Sequence, residues 1–185
     1  MPAVPPTPTD SAPLIPSLRP GEVERNPLGL PEDVARTIVT HLDEAVANLY
    51  VTYHQVKKHH WIVEGPDFRD LHHLLDEMAE RLTKDADHLA ERITALGGIP
   101  TSSAAAQQEL ATVGPEPEGR FPLRTMLEND FRLLQGTVMH LREGSELARA
   151  HGDYGTSHLL DKVLYHQEEN LHHLDHVLAR ESLEY

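Results

Sequence analysis

Two pairs of side chains that commonly bind metal ions lie close together in the sequence. The pairs are His72 with Asp76 and Asp87 with Glu91, and the members of each pair are four residues apart. If this stretch is helical, each pair points two ligands from one face. The eleven residues from Asp76 to Asp87 make about three helical turns, so the two pairs also share a face.

A single copy of this helix cannot close both pairs around one metal ion. Eleven residues rise about 16 Å along a helix, whereas metal–ligand bonds are only about 2 Å long. Two copies packed antiparallel about a two-fold axis near Arg81 and Leu82 can do so, because the first pair of one copy then faces the second pair of the other. Such a contact is self-complementary and builds the site twice.

A further histidine belongs to the same arrangement. His60 precedes Trp61 and lies twelve residues before His72, across the turn signal Glu64-Gly65-Pro66. In a helical hairpin both histidines reach the same end. The predicted site therefore combines His60, His72 and Asp76 of one chain with Asp87 and Glu91 of its partner. Two histidines and three carboxylates with open positions suit iron(II) and its oxidation. The alternative is a solvated, charged helix face.

The composition supports metal chemistry and excludes several other classes of protein. The chain has 185 residues, 14 of them His, and no Cys, so disulfides and thiolate sites are excluded. Its formal net charge of −14 should repel nucleic acid and anionic membranes unless the few cations cluster. Because there is no apolar run of about 20 residues and no signal sequence, we expect a soluble cytoplasmic protein.

Apolar residues at helical spacing predict the elements that position these side chains. The first helix runs from Pro31 to the turn at 64–66, and the second from a cap at Asp67 to Gly97-Gly98-Ile99-Pro100. The link over 100–120 carries a short helix around Ala104–Leu110. A third helix opens near Pro122, and a fourth follows the break at 151–155, capped by Asp153 or Thr156.

These elements predict an all-α, four-helix bundle over 31–185, with the long link allowing helices two and three to run parallel. No strand pattern is present. Residues 1–30 form a separate tail with seven prolines before residue 27. Such a segment is extended or disordered, or is an arm lying on a surface.

The residues around the predicted site resemble a known signature. They are His60-Trp61-Ile62-Val63-Glu64-Gly65, Phe68, Leu71-His72, Leu75-Asp76-Glu77, Asp87, Ala90-Glu91-Arg92 and Leu96-Gly97-Gly98. This pattern resembles, without a gap over 60–98, the ferroxidase signature of the Dps family (DNA-binding protein from starved cells, or miniferritin). The resemblance implies a ferritin-like bundle that assembles into a dodecameric cage. It also implies iron binding by the same five ligands, with Trp61 beside the site supplying an electron to oxidant.

The resemblance further implies an iron-storing ferroxidase that uses hydrogen peroxide, or O2, and protects against oxidative stress. Mineral nucleation would fall to Asp76, Glu77 and Glu80, although His73 stands where many members carry an acid. Iron would enter through pores lined by Asp153, His158 and Asp161. The alternative for these three is an ordinary acidic helix start.

Other histidines and the tail leave alternatives open. A second site for zinc or iron could form from four residues of helix four, namely His166, Glu169, His173 and His176; a solvated face is the alternative. His59 is expected at the site or in solvent, and His41, His140 and His151 are expected to be exposed. The tail has no Lys, so direct DNA binding is disfavoured. The alternative functions are a DNA-binding, nucleoid-protecting protein and a zinc- or metal-buffering cage without turnover.

Overall fold

The computed structural model describes residues 15–179, and within them the chain forms five helices. They are α1 (Glu32–Ile62), α2 (Phe68–Ala95), α3 (Ala104–Leu110), α4 (Leu123–Ala150) and α5 (Tyr154–Leu178). The predicted four long helices and the short helix in the link are confirmed. Residues 15–179 contain no strand beyond one isolated bridge between Val23 and Gly98.

Two helical hairpins, α1–α2 and α4–α5, pack against each other to make the bundle. Between α1 and α4, His41 contacts His140 while Gln55, further along α1, contacts the earlier residue Asp130. These two helices are therefore antiparallel. Since α2 is antiparallel to α1, helices α2 and α4 run parallel, as the long link predicted, and the fold is ferritin-like.

The apolar stripe predicted for the second helix is buried along its whole length. Its members are Leu71, Leu75, Met78, Leu82, Ala86, Leu89, Ile93 and Leu96. Each large member contributes about 1.5–3 kcal/mol through removal of apolar surface from water. This stripe fixes the rotation of α2, so the face that carries Glu80, Asp87 and Glu91 is turned outward. No described helix is both long and apolar enough to cross a membrane.

The helix ends largely follow their sequence signals. Asp153 caps α5 by accepting a hydrogen bond from the Thr156 N–H at 3.0 Å, so of the two predicted caps Asp153 is the one used. Asp67 does precede α2, but its side chain makes no capping bond. Pro122 lies just before α4 with non-helical backbone angles, one position earlier than a first helical residue.

Part of the N-terminal tail is an arm that packs on the end of α2. The Glu24 N–H donates to the Gly97 carbonyl at 2.9 Å, and the Val23 side chain is buried. Gly97 has a φ of +84°, and its N–H and that of Gly98 donate back to the Thr94 and Ile93 carbonyls. This is the Schellman pattern. The tail prediction for residues 1–14 lies outside the described residues.

We expect Gly97→Ala to destabilise the protein and loosen the arm. A side chain at this φ costs about 1–2 kcal/mol, and a Cβ on Gly97 would lie 2.2 Å from the Glu24 carbonyl oxygen. Gly21→Ala is the matched control, because Gly21 has nearly the same φ, +85°, but open space around it. Thermal unfolding should show the larger loss for Gly97→Ala. Equal losses would mean that the contact with Glu24 contributes nothing.

Candidate metal centre

His60 and His72 face each other beside the turn that joins α1 to α2. Their rings stack with centroids 3.8 Å apart. The His60 Nδ1 lies 2.9 Å from the His72 carbonyl oxygen, and the His72 Nδ1 lies 2.9 Å from the His60 carbonyl oxygen. The turn over 63–67 allows this exchange, because it returns the chain directly onto α1.

The reciprocal bonds fix which nitrogen of each ring is available. A carbonyl oxygen only accepts hydrogen bonds, so each Nδ1 must carry the proton and donate. The lone pair that each ring can offer to a metal ion is then on Nε2. Histidine ligands in metal sites are commonly held in this way, by a hydrogen bond from the other ring nitrogen. The pair is therefore oriented for coordination through Nε2.

Asp76 completes the part of the site that one chain supplies. Its Oδ1 lies 3.7 Å from the His60 Nε2, and it also forms an ion pair with Lys57. The hydrogen bond from Lys57 lowers the pKa of Asp76, and the positive charges that His60 and Lys57 can carry lower it further. The carboxylate is therefore ionised, and the lysine ammonium is its present counter-ion.

Asp87 and Glu91 lie further along the same helix, away from this cluster. Both side chains are exposed, and among the described residues neither has a hydrogen bond or an ion pair. The structure thus brings three of the five predicted ligands together and leaves two free on the outer surface of α2. This is the distribution that a site shared between two antiparallel copies requires.

Two aromatic side chains near the histidines are also exposed. Trp61 is 69% exposed and Phe68 is 45% exposed, and Phe68 contacts the His72 ring at a centroid distance of 5.1 Å. Large exposed apolar groups are typical of a surface that another protein covers. Trp61 follows His60 in the sequence, and its indole is not part of the core but lines a surface pocket with His54 and Lys58.

The other carboxylates predicted near the site are exposed on α2. Glu77 and Glu80 lie on its outer face, and the Glu80 carboxylate has a loose ion pair with Lys84 at 3.8 Å. His73 is exposed as well. Asp76 is the one nucleation candidate that faces the histidine pair.

The three residues predicted to line a pore do not form one group. Asp153 is buried, and its carboxylate binds the Arg92 guanidinium at 2.8 Å and caps α5. Asp161 is paired with Arg149 and accepts a hydrogen bond from Ser145. His158 is exposed. In this chain Asp153 therefore has the structural role that an acid at a helix start commonly has.

The four candidates on the last helix are also separated. His166 Nδ1 lies 2.9 Å from an Asp85 oxygen, and Glu169 binds Arg81 at 2.8 Å, so both contact α2. His173 and His176 are exposed, and their rings contact His172. No cluster of ligand atoms joins these four residues within the described part of the chain.

Two histidines that were expected to reach solvent or the site are buried elsewhere. His59 is 0% exposed and lies between Asp130 and Glu116, with both of its ring nitrogens engaged. His140 is 7% exposed and stacks on His41, so the expectation of an exposed His140 is wrong. Both contacts join α1 to α4 or to the link over 100–120. The spacing of residues within a single helix cannot predict them.

Comparisons with known proteins agree with the fold. Residues 39–183 match the model of the ferritin-like domain. The DNA protection during starvation protein of Halobacterium salinarum is 44% identical over 88% of this chain and 90% of its own length. The crystal structure of an archaeal Dps homologue from the same organism superposes with a TM-score of 0.88 at 42% identity, covering 92% of this chain and 95% of that one.

A bacterial structure shows the same fold at greater distance. The Dps protein of Vibrio cholerae O1, described as a member of a broad superfamily of ferritin-like diiron-carboxylate proteins, has a TM-score of 0.77 and 27% identity. The comparison covers 83% of this chain and 96% of that one. The helix order, the hairpin with its paired histidines and these likenesses lead to one conclusion: the chain belongs to the Dps family of ferritin-like proteins.

Proposed function

We propose that this protein stores and detoxifies iron by oxidising iron(II) at sites shared between two subunits. The observation that carries the proposal is the reciprocally bonded His60–His72 pair beside Asp76, with Asp87 and Glu91 unpaired on the same helix. Family membership and the diiron-carboxylate description of the Vibrio relative support the choice of iron. Iron is the substrate in this proposal.

Each residue would have a distinct role toward iron. His60 and His72 would bind iron(II) through Nε2, because imidazole suits a borderline divalent ion. The partner's copies of the Asp87 and Glu91 positions would supply negative charge that holds the ferric product. The three protein carboxylates stabilise the higher charge of iron(III) more than that of iron(II), which favours oxidation.

The chemistry balances with hydrogen peroxide as the oxidant. Two iron(II) ions each give up one electron, one peroxide molecule accepts both, its O–O bond breaks, and two protons convert the fragments to two waters. O2 is the alternative oxidant. Trp61, exposed and next to His60 in the sequence, would supply an electron to the oxidant when only one iron(II) is present. These steps remove iron(II) and peroxide together and so limit radical formation.

Storage requires an enclosed assembly, which we propose to be a shell of twelve subunits. Family membership supports this number, and analytical ultracentrifugation of the purified protein would measure it. Glu77 and Glu80 with Asp76 would nucleate the ferric mineral. Of the three predicted pore residues, the exposed His158 and Asp161 would line the entry path, whereas Asp153 is buried and paired with Arg92. The second-site proposal for His166, Glu169, His173 and His176 is weakened by the contacts of His166 and Glu169 with α2.

The direct test is the rate of iron(III) formation in the apo-protein. Iron(II) is added anaerobically, hydrogen peroxide follows, and absorbance of the ferric product is recorded against the same iron in buffer. Peroxide-dependent acceleration supports the proposal. A rate equal to that in buffer removes the ferroxidase function, and would leave a cage that binds zinc or other metals without turnover.

The Lys57 ammonium should compete with iron(II) for Asp76. We expect Lys57→Met to tighten iron(II) binding by about tenfold, because a unit charge beside the carboxylate is removed and about 1.4 kcal/mol corresponds to that factor. Anaerobic calorimetric titration with iron(II) measures it. Lys162→Met, an exposed lysine on α5, controls for the change in net charge. Unchanged affinity in Lys57→Met would show that the ion pair does not oppose binding.

DNA binding is the second candidate, because the Halobacterium relative is named for DNA protection. The net charge of −14 opposes contact with phosphate. We propose that protection here acts through iron and peroxide instead of through direct binding. A gel-shift experiment at low salt decides: a retarded DNA band would favour the nucleoid-protecting function.

A further inference from the structure

A second stacked histidine pair lies between α1 and α4, at the other end of α1 from the proposed iron site. The His41 and His140 rings are parallel within 5°, with centroids 3.9 Å apart. The His41 Nε2–H donates to the His140 carbonyl at 2.9 Å, and the His140 Nε2–H donates to the His41 carbonyl at 3.2 Å. Each ring again donates to the backbone carbonyl of the other histidine, as in the His60–His72 pair. Here the donor is Nε2, whereas in the His60–His72 pair it is Nδ1.

A carboxylate is next to this second pair. Glu44, one turn after His41, has its Oε2 3.7 Å from the His140 Nε2. One ligand atom each from His41, Glu44 and His140 lie within 4.8 Å of one another, and this is the one such group of three or more within residues 15–179. Ligands of a tetrahedral zinc ion lie about 3.3 Å apart. Closing the group around an ion would require the two rings to turn out of their stack and to exchange the two Nε2–H hydrogen bonds to carbonyls for bonds to the metal.

The surroundings leave room for the rings and keep them available as ligands. A Cβ at position 144 would lie 2.5 Å from the His41 ring, so the ring fits because residue 144 is Gly. Because the His140 Nε2–H donates to the His41 carbonyl, the lone pair of the neutral ring is on Nδ1. Glu44 is partly exposed, which gives an ion a route from solvent.

The geometry points to a second metal site, distinct from the proposed iron site, in which His41, Glu44 and His140 bind a divalent ion of the zinc class. Two histidines and one glutamate, with a further position open to water, form a donor set that zinc accepts. Nineteen residues of α1 separate His41 from His60, about 28 Å, so the two sites are independent. An ion here would tie the two helical hairpins together.

The test is equilibrium dialysis of the full-length apo-protein against Zn²⁺ alone. It is run in the Asp87→Ala/Glu91→Ala variant. The zinc result can then be interpreted even if the proposed iron site proves to be wrong. We expect Glu44→Gln to lower the zinc affinity of one site per subunit by at least about tenfold. Even the loss of a residue that only hydrogen-bonds a metal ligand lowers metal affinity by that factor. Glu143→Gln, on α4 near His140, is the matched control and should bind zinc like the parent.

A second readout follows from the position between the hairpins. Zn²⁺ binding to the folded state should raise the unfolding temperature of the parent, and this shift should shrink in Glu44→Gln. Equal zinc stoichiometry and affinity in the parent and in Glu44→Gln would overturn the inference. Equal losses in Glu44→Gln and Glu143→Gln would overturn it as well, because they would reflect surface charge alone.

Discussion

Replacing Asp87 and Glu91 together by alanine should reduce peroxide-dependent iron(II) oxidation by at least about 100-fold, to the rate of iron in buffer. Removal of a residue that only hydrogen-bonds a metal ligand typically lowers metal affinity or activity 10–100-fold. These two carboxylates are proposed to bind iron directly, so a larger loss is expected. Because both side chains are exposed and unpaired among the described residues, the fold and its unfolding temperature should change little. The readouts are the ferric absorbance and sedimentation of the assembly.

The matched control removes the same charge from another helix. Glu143 and Glu146 are exposed on α4, and Glu143→Ala/Glu146→Ala should oxidise iron at the rate of the unmodified protein. If both double variants lost activity equally, the effect would come from the reduced attraction of the surface for cations. The assignment of Asp87 and Glu91 as ligands would then fail.

Mixing two inactive variants tests whether the site is shared between subunits. One variant carries His60→Ala/His72→Ala and the other Asp87→Ala/Glu91→Ala. In a two-fold contact between unlike subunits, one of the two sites regains all five ligands and the other loses four. Random co-assembly in equal amounts makes half of the contacts unlike, so about a quarter of the normal activity should return. A site contained within one chain would recover none.

The half of the site within one hairpin could be predicted because its geometry is local. His72 and Asp76 share a helix face through their spacing, and a tight turn brings His60 opposite them. The apolar stripe of α2 likewise predicted its buried face residue by residue. The need for a second subunit followed from length alone, because the rise along α2 separates the two pairs by far more than a metal–ligand bond.

The contacts between hairpins could not be predicted in the same way. His59 meets Asp130 and Glu116, which are 71 and 57 residues away, and His41 meets His140, which is 99 residues away. Such pairs depend on the register of α1 against α4, which helical periodicity does not specify. Lys57 was missed for a related reason, because its pairing with Asp76 depends on how the two helices of the first hairpin are aligned.

The buried His59 is the contact between hairpins with the largest expected effect on stability. Its Nδ1 lies 2.7 Å from Asp130 Oδ2, and its Nε2 lies 2.7 Å from Glu116 Oε1. His59→Ala would leave two nearly inaccessible carboxylates without this partner, and breaking a buried pair typically costs about 3–5 kcal/mol. Lys58 and Gln55 would compensate only in part, since each already contacts one of the carboxylates. A marked fall in unfolding temperature is expected.

The pH dependence of the stability lost in His59→Ala distinguishes the contribution of the His59 charge from the contribution of its packing. Burial lowers the pKa of His59, but the bonds and charges of Asp130 and Glu116 outweigh it, so the pKa lies above its ordinary 6.5. Stability from a raised histidine pKa is fully present below 6.5 and is lost as pH rises through the folded-state value. Burial also raises the pKa of Asp130, which acts in the same direction. Glu116 acts in the opposite direction, because its pKa is lowered and its contribution to stability is lost as the pH falls. That loss takes place below pH 4.5, outside the range of the experiment.

The difference in unfolding temperature between the unmodified protein and His59→Ala should therefore be largest near pH 6 and shrink toward pH 9. It is measured at fixed protein concentration, because assembly makes the unfolding temperature concentration-dependent. His54→Ala, an exposed histidine on the same helix, should change stability by less than about 0.5 kcal/mol at every pH. If this difference in unfolding temperature stayed constant with pH, His59 would stabilise the contact between the hairpins by filling space. A positive charge on its ring would then not be needed for its interaction with the buried carboxylates.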